Sequence, residues 1–481
     1  MKFHTKLTPL FAAAAAATLF FGSCSRPDTI VIISTNDIHG AIDNIPRLAT
    51  VVERYRAQYP EHTLLVDAGD RWTGNPFVDL APEPGKPVIE LMNQLGYRLA
   101  TFGNHEYDMG QERLAQRLAD AEFDVICANM TVAESPVPQP APYKIIEVGD
   151  IRLAVTAAVT NFSNGYPDGK AENFAGMAFG SPFAAVESLR SLRDSADLFI
   201  ALTHIGDDMD TILAARVPEL DLIIGGHTHT VLPEGLRYGS TLVTQTGKSL
   251  KNVGITEITV KGDKILSMRN RLCALDTVPP SPEYAALVAA YNADPQLNRS
   301  VGCCADSLDK TGVAEFMTSV MRLRTGADLA CYHYGGVRVE GLAAGGVSMA
   351  DIFAIEPFAS TVCLVDMTEE ELRQMIINKF NNSANPKEAH RPDIHPNGMS
   401  YTILTDERGE ATDVQFRFER RKPVYRVAMP DYMFKVYEFA KSGNPLCSDL
   451  LMTDIMTDYV RNSSPVRFDN TPKVEIAARA Q

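Results

Sequence analysis

The chain has 481 residues, 45% of them hydrophobic and 22% charged, and a formal net charge of −15. That length exceeds what one core organises, so two or three domains are expected, and the ordinary composition excludes a largely disordered or fibrous chain. The acidic surplus excludes polymeric nucleic acid as a partner, because a phosphate backbone would be repelled.

Lys2 and Lys6 precede an apolar run over 10–21, followed by Gly22, Ser23 and Cys24. The run is shorter than the about 20 residues a membrane span needs, and it has the three-part form of a secretory signal. Small residues directly before a cysteine resemble a lipoprotein signal, although Phe21 stands where such signals usually carry Leu or a small aliphatic residue. Residues 1–24 are therefore expected to direct the protein out of the cytoplasm, with Cys24 lipidated and anchored to a bacterial membrane, on the periplasmic side or at the cell surface. Simple secretion is the alternative. Removing residues 1–23 deletes Lys2 and Lys6 and no acid, which takes the formal charge to −17.

From Thr29 to about Asp276, short β-rich runs alternate with amphipathic helical stretches over 47–59, 87–95 and 111–120. This alternation predicts layered α/β packing over 28–276. Pro279, Pro280 and Pro282 then interrupt the pattern, so 277–300 reads as a linker containing a short helix over 283–293, with a second unit over 301–481. Seven cysteines follow Cys24, namely Cys127, Cys273, Cys303, Cys304, Cys331, Cys363 and Cys447. Outside the cytoplasm some could pair, but an odd count leaves at least one free and no CxxC spacing marks a metal site; apolar flanks predict mostly buried thiols, and no connectivity is supported.

Within 28–276, metal-friendly side chains arrive in five bursts. These are Asp37 with His39, Asp67 with Asp70, Asn104 with His105 and Glu106, His204, and His227 with His229. All but the third directly follow an apolar, β-rich run, which places them on loops at strand ends, where α/β sheets build their sites. Two divalent cations about 3.5 to 4 Å apart need a bridging carboxylate, imidazole and oxygen ligands, and open positions for water and substrate. The five bursts supply that set. The donors are nitrogen and oxygen without thiolate, which suits Zn²⁺, Mn²⁺, Co²⁺ or Fe²⁺. Among the other histidines, His62 reads as solvated or capping, and His390 and His395 as exposed in a Pro-rich polar stretch over 385–397.

In this order the motifs Asn36–Gly40, Gly69-Asp70, Gly103–Asp108, His204-Ile205-Gly206 and Gly225–His229 resemble the calcineurin-like metallophosphoesterases, in particular the bacterial 5'-nucleotidase/UDP-sugar hydrolase branch. The resemblance implies an N-terminal layered metallophosphoesterase α/β sandwich, joined by the linker helix to a smaller C-terminal α/β substrate domain. It implies one metal on Asp37, His39, Asp70 and His229, and a second on Asp70, Asn104, His204 and His227, with Asp70 as the bridge. His105 and Asp108 would act as a dyad at the leaving group, whereas no chemical step requires Glu106. In the second unit, Gly335-Gly336-Val337-Arg338, Glu356-Pro357-Phe358 and Pro430-Asp431-Tyr432 are similar to the family's substrate-domain words. They imply Arg338 on phosphate, joined by Arg322 or Arg324, and a base clamped between Phe358 and Tyr432.

Departures stand beside these matches. His333-Tyr334 replace an expected Asn, Ala359-Ser360 replace Gly-Asn, and Ser442–Pro445 replace a Gly-Gly-Asp-Gly word, which leaves base and sugar recognition unassigned. The implied activity is hydrolysis of 5'-nucleotides or related nucleotide phosphates to nucleoside and phosphate, with domain closure about the linker. Alternatives are a 2',3'-cyclic-nucleotide phosphodiesterase, another small-molecule phosphatase or pyrophosphatase, and, in a different class, a non-catalytic metal-loaded surface binding protein.

Overall fold

The computed structural model describes residues 27–162, 164–262, 264–381, 390–441, 443 and 445–478. The expected signal and Cys24 lie outside the described residues. Among those described, no helix is long and apolar enough to cross a membrane.

The first half is built on two six-stranded sheets. In one, strands Asp28–Thr35, Thr63–Asp67, Leu99–Ala100 and Asp124–Val125 run parallel, with Asn252–Lys261 and Lys264–Ala274 closing the other edge antiparallel. In the other, Ile151–Val159, Leu198–His204, Leu222–Ile224 and Thr241–Thr244 run parallel. Period-two alternation sorts the side chains. Ile30, Ile32, Leu64 and Val66 pack with Leu153, Val155, Leu198 and Ile200 between the sheets, whereas Val31, Ile33 and Leu65 face a helix layer containing Leu48, Val52, Leu91 and Met92. Strands buried on both faces read as continuous apolar runs, which is why the sequence shows them so clearly.

The expected linker helix spans Pro282–Tyr291, starting on proline after Ser281. Val288 belongs to the same core as Leu275 and Val278, with Tyr284, Leu287 and Tyr291 packed against it. The helix is thus fastened to the first half.

The second half carries a five-stranded mixed sheet in the order Ile394–Asn397, Leu329–His333, Tyr425–Pro430, Thr361–Met367, Leu446–Leu451. Helices Lys310–Thr325 and Met452–Ser463 contribute to one core there, and Glu369–Asn381 to another. Two sequence expectations are corrected here. Cys363 and Cys447 stand opposite each other on paired antiparallel strands and form a disulfide, a long-range register that spacing could not reveal. Cys127, Cys304 and Cys331 are buried free thiols, but Cys273 and Cys303 are half-buried. His395, expected at the surface, is fully buried, because its strand pairs with Leu329–His333 beneath the helix Lys310–Thr325.

The disulfide closes a separation of 84 residues and ties the edge strand Leu446–Leu451 to the sheet. Non-reducing peptide mapping is expected to recover Cys363 linked to Cys447, and reductant to lower the unfolding free energy by roughly 2 to 4 kcal/mol. A denaturation midpoint indifferent to reductant would remove the pair from the account of stability.

Candidate metal centre

All eight parallel strands of the first half end at one edge, and the loops leaving that edge carry the five bursts. Asp37 and His39 follow Asp28–Thr35, Asp70 follows Thr63–Asp67, Asn104 and His105 follow Leu99–Ala100, and His227 and His229 follow Leu222–Ile224; His204 ends its own strand. Five of these residues have positive φ, namely Asp37 (50°), His39 (48°), Asp70 (60°), His227 (83°) and His229 (54°). Left-handed backbone is costly for residues with a Cβ and persists where the surroundings impose it.

The surroundings are visible. Asn36 Nδ2 donates to Asp37 Oδ2 at 2.6 Å and to Gly247 O at 2.8 Å, while its oxygen accepts from Thr246 N at 2.9 Å. Gly103 and Gly226 allow the loops to close. A Cβ on Gly103 would collide with the Asp70 carboxylate, and one on Gly226 would crowd the His204 ring. Glu106, for which sequence reasoning found no role, is the clamp. Its carboxylate accepts from the backbone N–H of Asp70 (2.9 Å), of Arg71 (2.8 Å) and of Gly103. Arg71, itself buried, balances that charge, with Nε 3.6 Å from Glu106 and Nη1 3.2 Å from Asp67. The readable signal was an arginine directly after the bridging aspartate, with an acid in the neighbouring burst.

Ligand-type atoms converge in three overlapping groups, each with its atoms within 4.8 Å of one another: Asp37, His39 and His229; Asp37, Asp70 and His204; His39, Asp70 and His105. His39 Nε2 lies 3.0 Å from His229 Nε2, and His229 Nε2 lies 3.3 Å from Asp37 Oδ1. His204 Nε2 lies 3.1 Å from Asp70 Oδ2 and 3.8 Å from Asp37 Oδ1, buried and without a well-directed hydrogen bond. His39 Nδ1 is 3.1 Å from Thr73 O, and His204 Nδ1 is 2.7 Å from Ala68 O. A backbone carbonyl on Nδ1 fixes the N–H there and turns the Nε2 lone pair toward the cage. Asn104 Oδ1 and His227 Nδ1 face each other at 3.0 Å, and the His227 N–H donates to Asp37 Oδ2 at 3.1 Å. His227 Nε2 also lies 3.7 Å from Asp168, a carboxylate the sequence did not single out.

Electrostatics favour a cation in this space. Burial alone would lift the Asp37 carboxyl, but His229 and His204 outweigh it and hold it at about 2. Burial likewise opposes charge on His204, yet Asp70 and Asp37 prevail and push it up to about 10. His39 goes the other way, held well below its ordinary value by burial and by Arg338, as a neutral donor should be. With protons standing in for positive charge, the oxygen and nitrogen donor set fits a pair of divalent ions.

His105 Nδ1 is 2.6 Å from Asp108 Oδ2, and its Nε2 is 4.0 Å from Asp70 Oδ2. Burial disfavours the imidazolium, but Asp108 and Asp70 raise its pKa above the ordinary value. From the second half, Arg338 Nη2 reaches to 3.3 Å from His39 Nδ1, and its guanidinium lies 5.5 Å from the Phe358 ring centre. Phe358 stacks on His105 at 6.0 Å, whereas Tyr432 packs on His333 at 4.9 Å. Arg322 is taken up by Asn397 (3.0 Å) and Glu419 (2.8 Å), and Arg324 is exposed. At the opposite end of that helix, Lys310 is held below its ordinary value by burial and by nearby Lys248 and Arg338, against the pull of Glu340. A cleft of about 540 Å³ runs between Tyr166 and Lys170 of the first half and Tyr432, Lys435 and Tyr437 of the second.

Comparison with known proteins matches residues 30–231 to the calcineurin-like phosphoesterase family and residues 288–438 to the 5'-nucleotidase C-terminal domain. The trifunctional nucleotide phosphoesterase YfkN of Bacillus subtilis is 25% identical over 81% of this chain and 30% of its own length. The 5'-nucleotidase of Bos taurus is 30% identical over 47% of this chain and 42% of its own. The chain therefore spans less than half the length of these relatives. Among solved structures, a 5'-nucleotidase precursor from Thermus thermophilus superposes with a TM-score of 0.81 over 93% of this chain and 99% of that one, at 20% identity, a likeness of fold. With one family profile over the five motif loops and the other over the Arg338 segment, the chain belongs to the calcineurin-like metallophosphoesterases that carry a 5'-nucleotidase C-terminal domain.

Proposed function

We propose that this chain is a dimetal phosphoric ester hydrolase that releases phosphate from 5'-nucleotides or related nucleotide phosphates. The carrying observation is the meeting of a buried carboxylate and imidazole cage in the first half with Arg338 from the second half, 3.3 Å from His39. Asp37, His39, Asp70 and His229 would hold one divalent ion, and Asp70, Asn104, His204 and His227 the other. Such a pair, Zn²⁺, Mn²⁺, Co²⁺ or Fe²⁺ by its donors, supplies Lewis-acid polarisation of phosphoryl oxygens and a water acidified toward neutral pH.

The remaining chemistry belongs to side chains. Asp108 holds the His105 Nδ1 proton, so Nε2–H can bond a phosphoryl oxygen or pass a proton to the leaving alkoxide. Arg338 presents a planar, always-charged fork to phosphate oxygens. Tyr432 lines the cleft and offers a face to a base. Phe358 covers His105 in this arrangement, so both rings can grip one base only after the second half shifts. Because the helix Pro282–Tyr291 is fastened to the first half, we place that pivot after it, in the 277–300 linker between units 28–276 and 301–481. The proposed placement is outside the cytoplasm, lipid-anchored through Cys24, and the Cys363–Cys447 disulfide supports an oxidising compartment.

Phosphate release from a panel of 5'-nucleotides, 2',3'-cyclic nucleotides, pyrophosphate and p-nitrophenyl phosphate tests the assignment; inactivity of the metal-loaded protein toward all of them would leave a binding protein. Asp70→Asn is expected to lose bound metal. His105→Ala is expected to keep its metal while turnover falls roughly 10²- to 10⁴-fold. Equal metal loss in both variants, read by elemental analysis, would contradict the role given to His105. For the anchor, labelled fatty acid should enter the wild-type protein and not Cys24→Ala, and an unlabelled, soluble wild-type protein would point to plain secretion.

A further inference from the structure

Arg338 is delivered by a short turn, Tyr334–Gly336, which leaves the strand Leu329–His333 and runs through Val337. Behind that turn lies a chain of polar groups, with His395 and Glu315 buried and Tyr334 half-buried, that the proposed chemistry does not use. His395 Nε2 is 3.0 Å from Glu315 Oε2, and His395 Nδ1 is 3.1 Å from Tyr334 Oη. The other oxygen of Glu315 accepts from Asn397 Nδ2 at 2.9 Å and Ser319 Oγ at 3.3 Å, which fixes the carboxylate on the helix Lys310–Thr325. A carboxylate facing Nε2 keeps a proton there, and the Nδ1 lone pair is then free to accept the Tyr334 hydroxyl.

Tyr334 is held at its other end as well. Its N–H donates to Asp393 O at 2.7 Å, and its carbonyl accepts from Val337 N at 3.2 Å. The Arg338 N–H then donates to Ile355 O at 3.2 Å. Apolar side chains would fill the same space with less desolvation cost, so what the polar chain adds is direction.

We propose that Glu315, His395 and Tyr334 form a positioning relay that sets where Arg338 stands over the cage, and thereby its grip on phosphate. The proposal rests on the reading of Arg338 as a phosphate ligand. None of the three touches substrate; they act through the turn.

The test uses the full chain loaded with Mn²⁺ and calorimetric binding of inorganic phosphate, which requires no turnover. Tyr334→Phe and, as a second variant in case the first fails to fold, Glu315→Gln are each combined with Arg338→Ala. We expect phosphate to bind roughly 5- to 10-fold more weakly to each relay variant, with metal content unchanged, and to show less than about a 2-fold further loss when Arg338 is already Ala. Unchanged phosphate binding in the relay variants, an equal loss with and without Arg338, or no effect of Arg338→Ala itself would overturn the relay. A protein that passes this test yet hydrolyses no phosphate ester would sink the proposed activity and leave the relay standing.

Discussion

Asp37 and Asp70 are cut off from solvent at the edge where the parallel strands of both sheets end, and negative charge so placed needs positive charge in the same cavity. Much of the molecule answers that requirement. The imidazoles of His204 and His229 turn toward the carboxylates, Arg338 arrives from the other half, and the donor set is one that divalent ions satisfy better than protons do. The same demand separates the histidines into two kinds. His39, crowded by burial and by Arg338, is pushed toward the neutral form, whereas His105 is drawn toward the charged form, because Asp108 and Asp70 outweigh its burial.

Holding these groups together bends the backbone. Five ligand-bearing residues occupy left-handed conformations, and isolated loops would relax out of them. The restraint comes from a second buried layer. Glu106 accepts from three backbone N–H groups of two loops, and Arg71 balances Glu106 and Asp67. Asp67 is pushed up to about 7, because burial and nearby Glu106 together outweigh the pull of Arg71. Removing either side of such a fully buried pair would leave an unmatched charge, so this layer acts as one piece.

What could be read from the sequence divides along the range of the interactions. The sandwich strands were legible because both faces are buried, and the cage because each loop packs its ligands within a few residues of a strand end. Asp168 acts on a residue brought near only by folding, so its loop gave no hint of the partner, whereas the clamp role of Glu106 was signalled only indirectly, by Arg71 next to the bridging aspartate. His395 was misread as exposed because a Pro-rich neighbourhood is polar by composition, whereas its strand lies under a helix that carries Glu315. The Cys363–Cys447 bridge depends on the register of two antiparallel strands, which no spacing rule encodes. Arg322 illustrates the same limit within one helix. It and Lys310 lie at opposite ends, and only the packing of the helix decides which end faces Arg338.

The two halves meet through few strong contacts near the cage. Lys248 and Glu340 pair across the boundary at 2.9 Å, but both are solvent-accessible, and such a bridge contributes about 0 to 1 kcal/mol. Phe358 on His105 adds an aromatic contact of about 0.5 to 1.5 kcal/mol. Neither is large enough to lock the halves together against a competing partner. Arg338, by contrast, stands beside neutral His39 with its charge directed at Asp70, Asp108 and Asp37, which bound cations would largely screen. In a metal-loaded cage Arg338 would therefore be repelled unless an anion lay between them. On the proposed reading a phosphate group would be that anion, and its binding would then be coupled electrostatically to the approach of Arg338 to the cage.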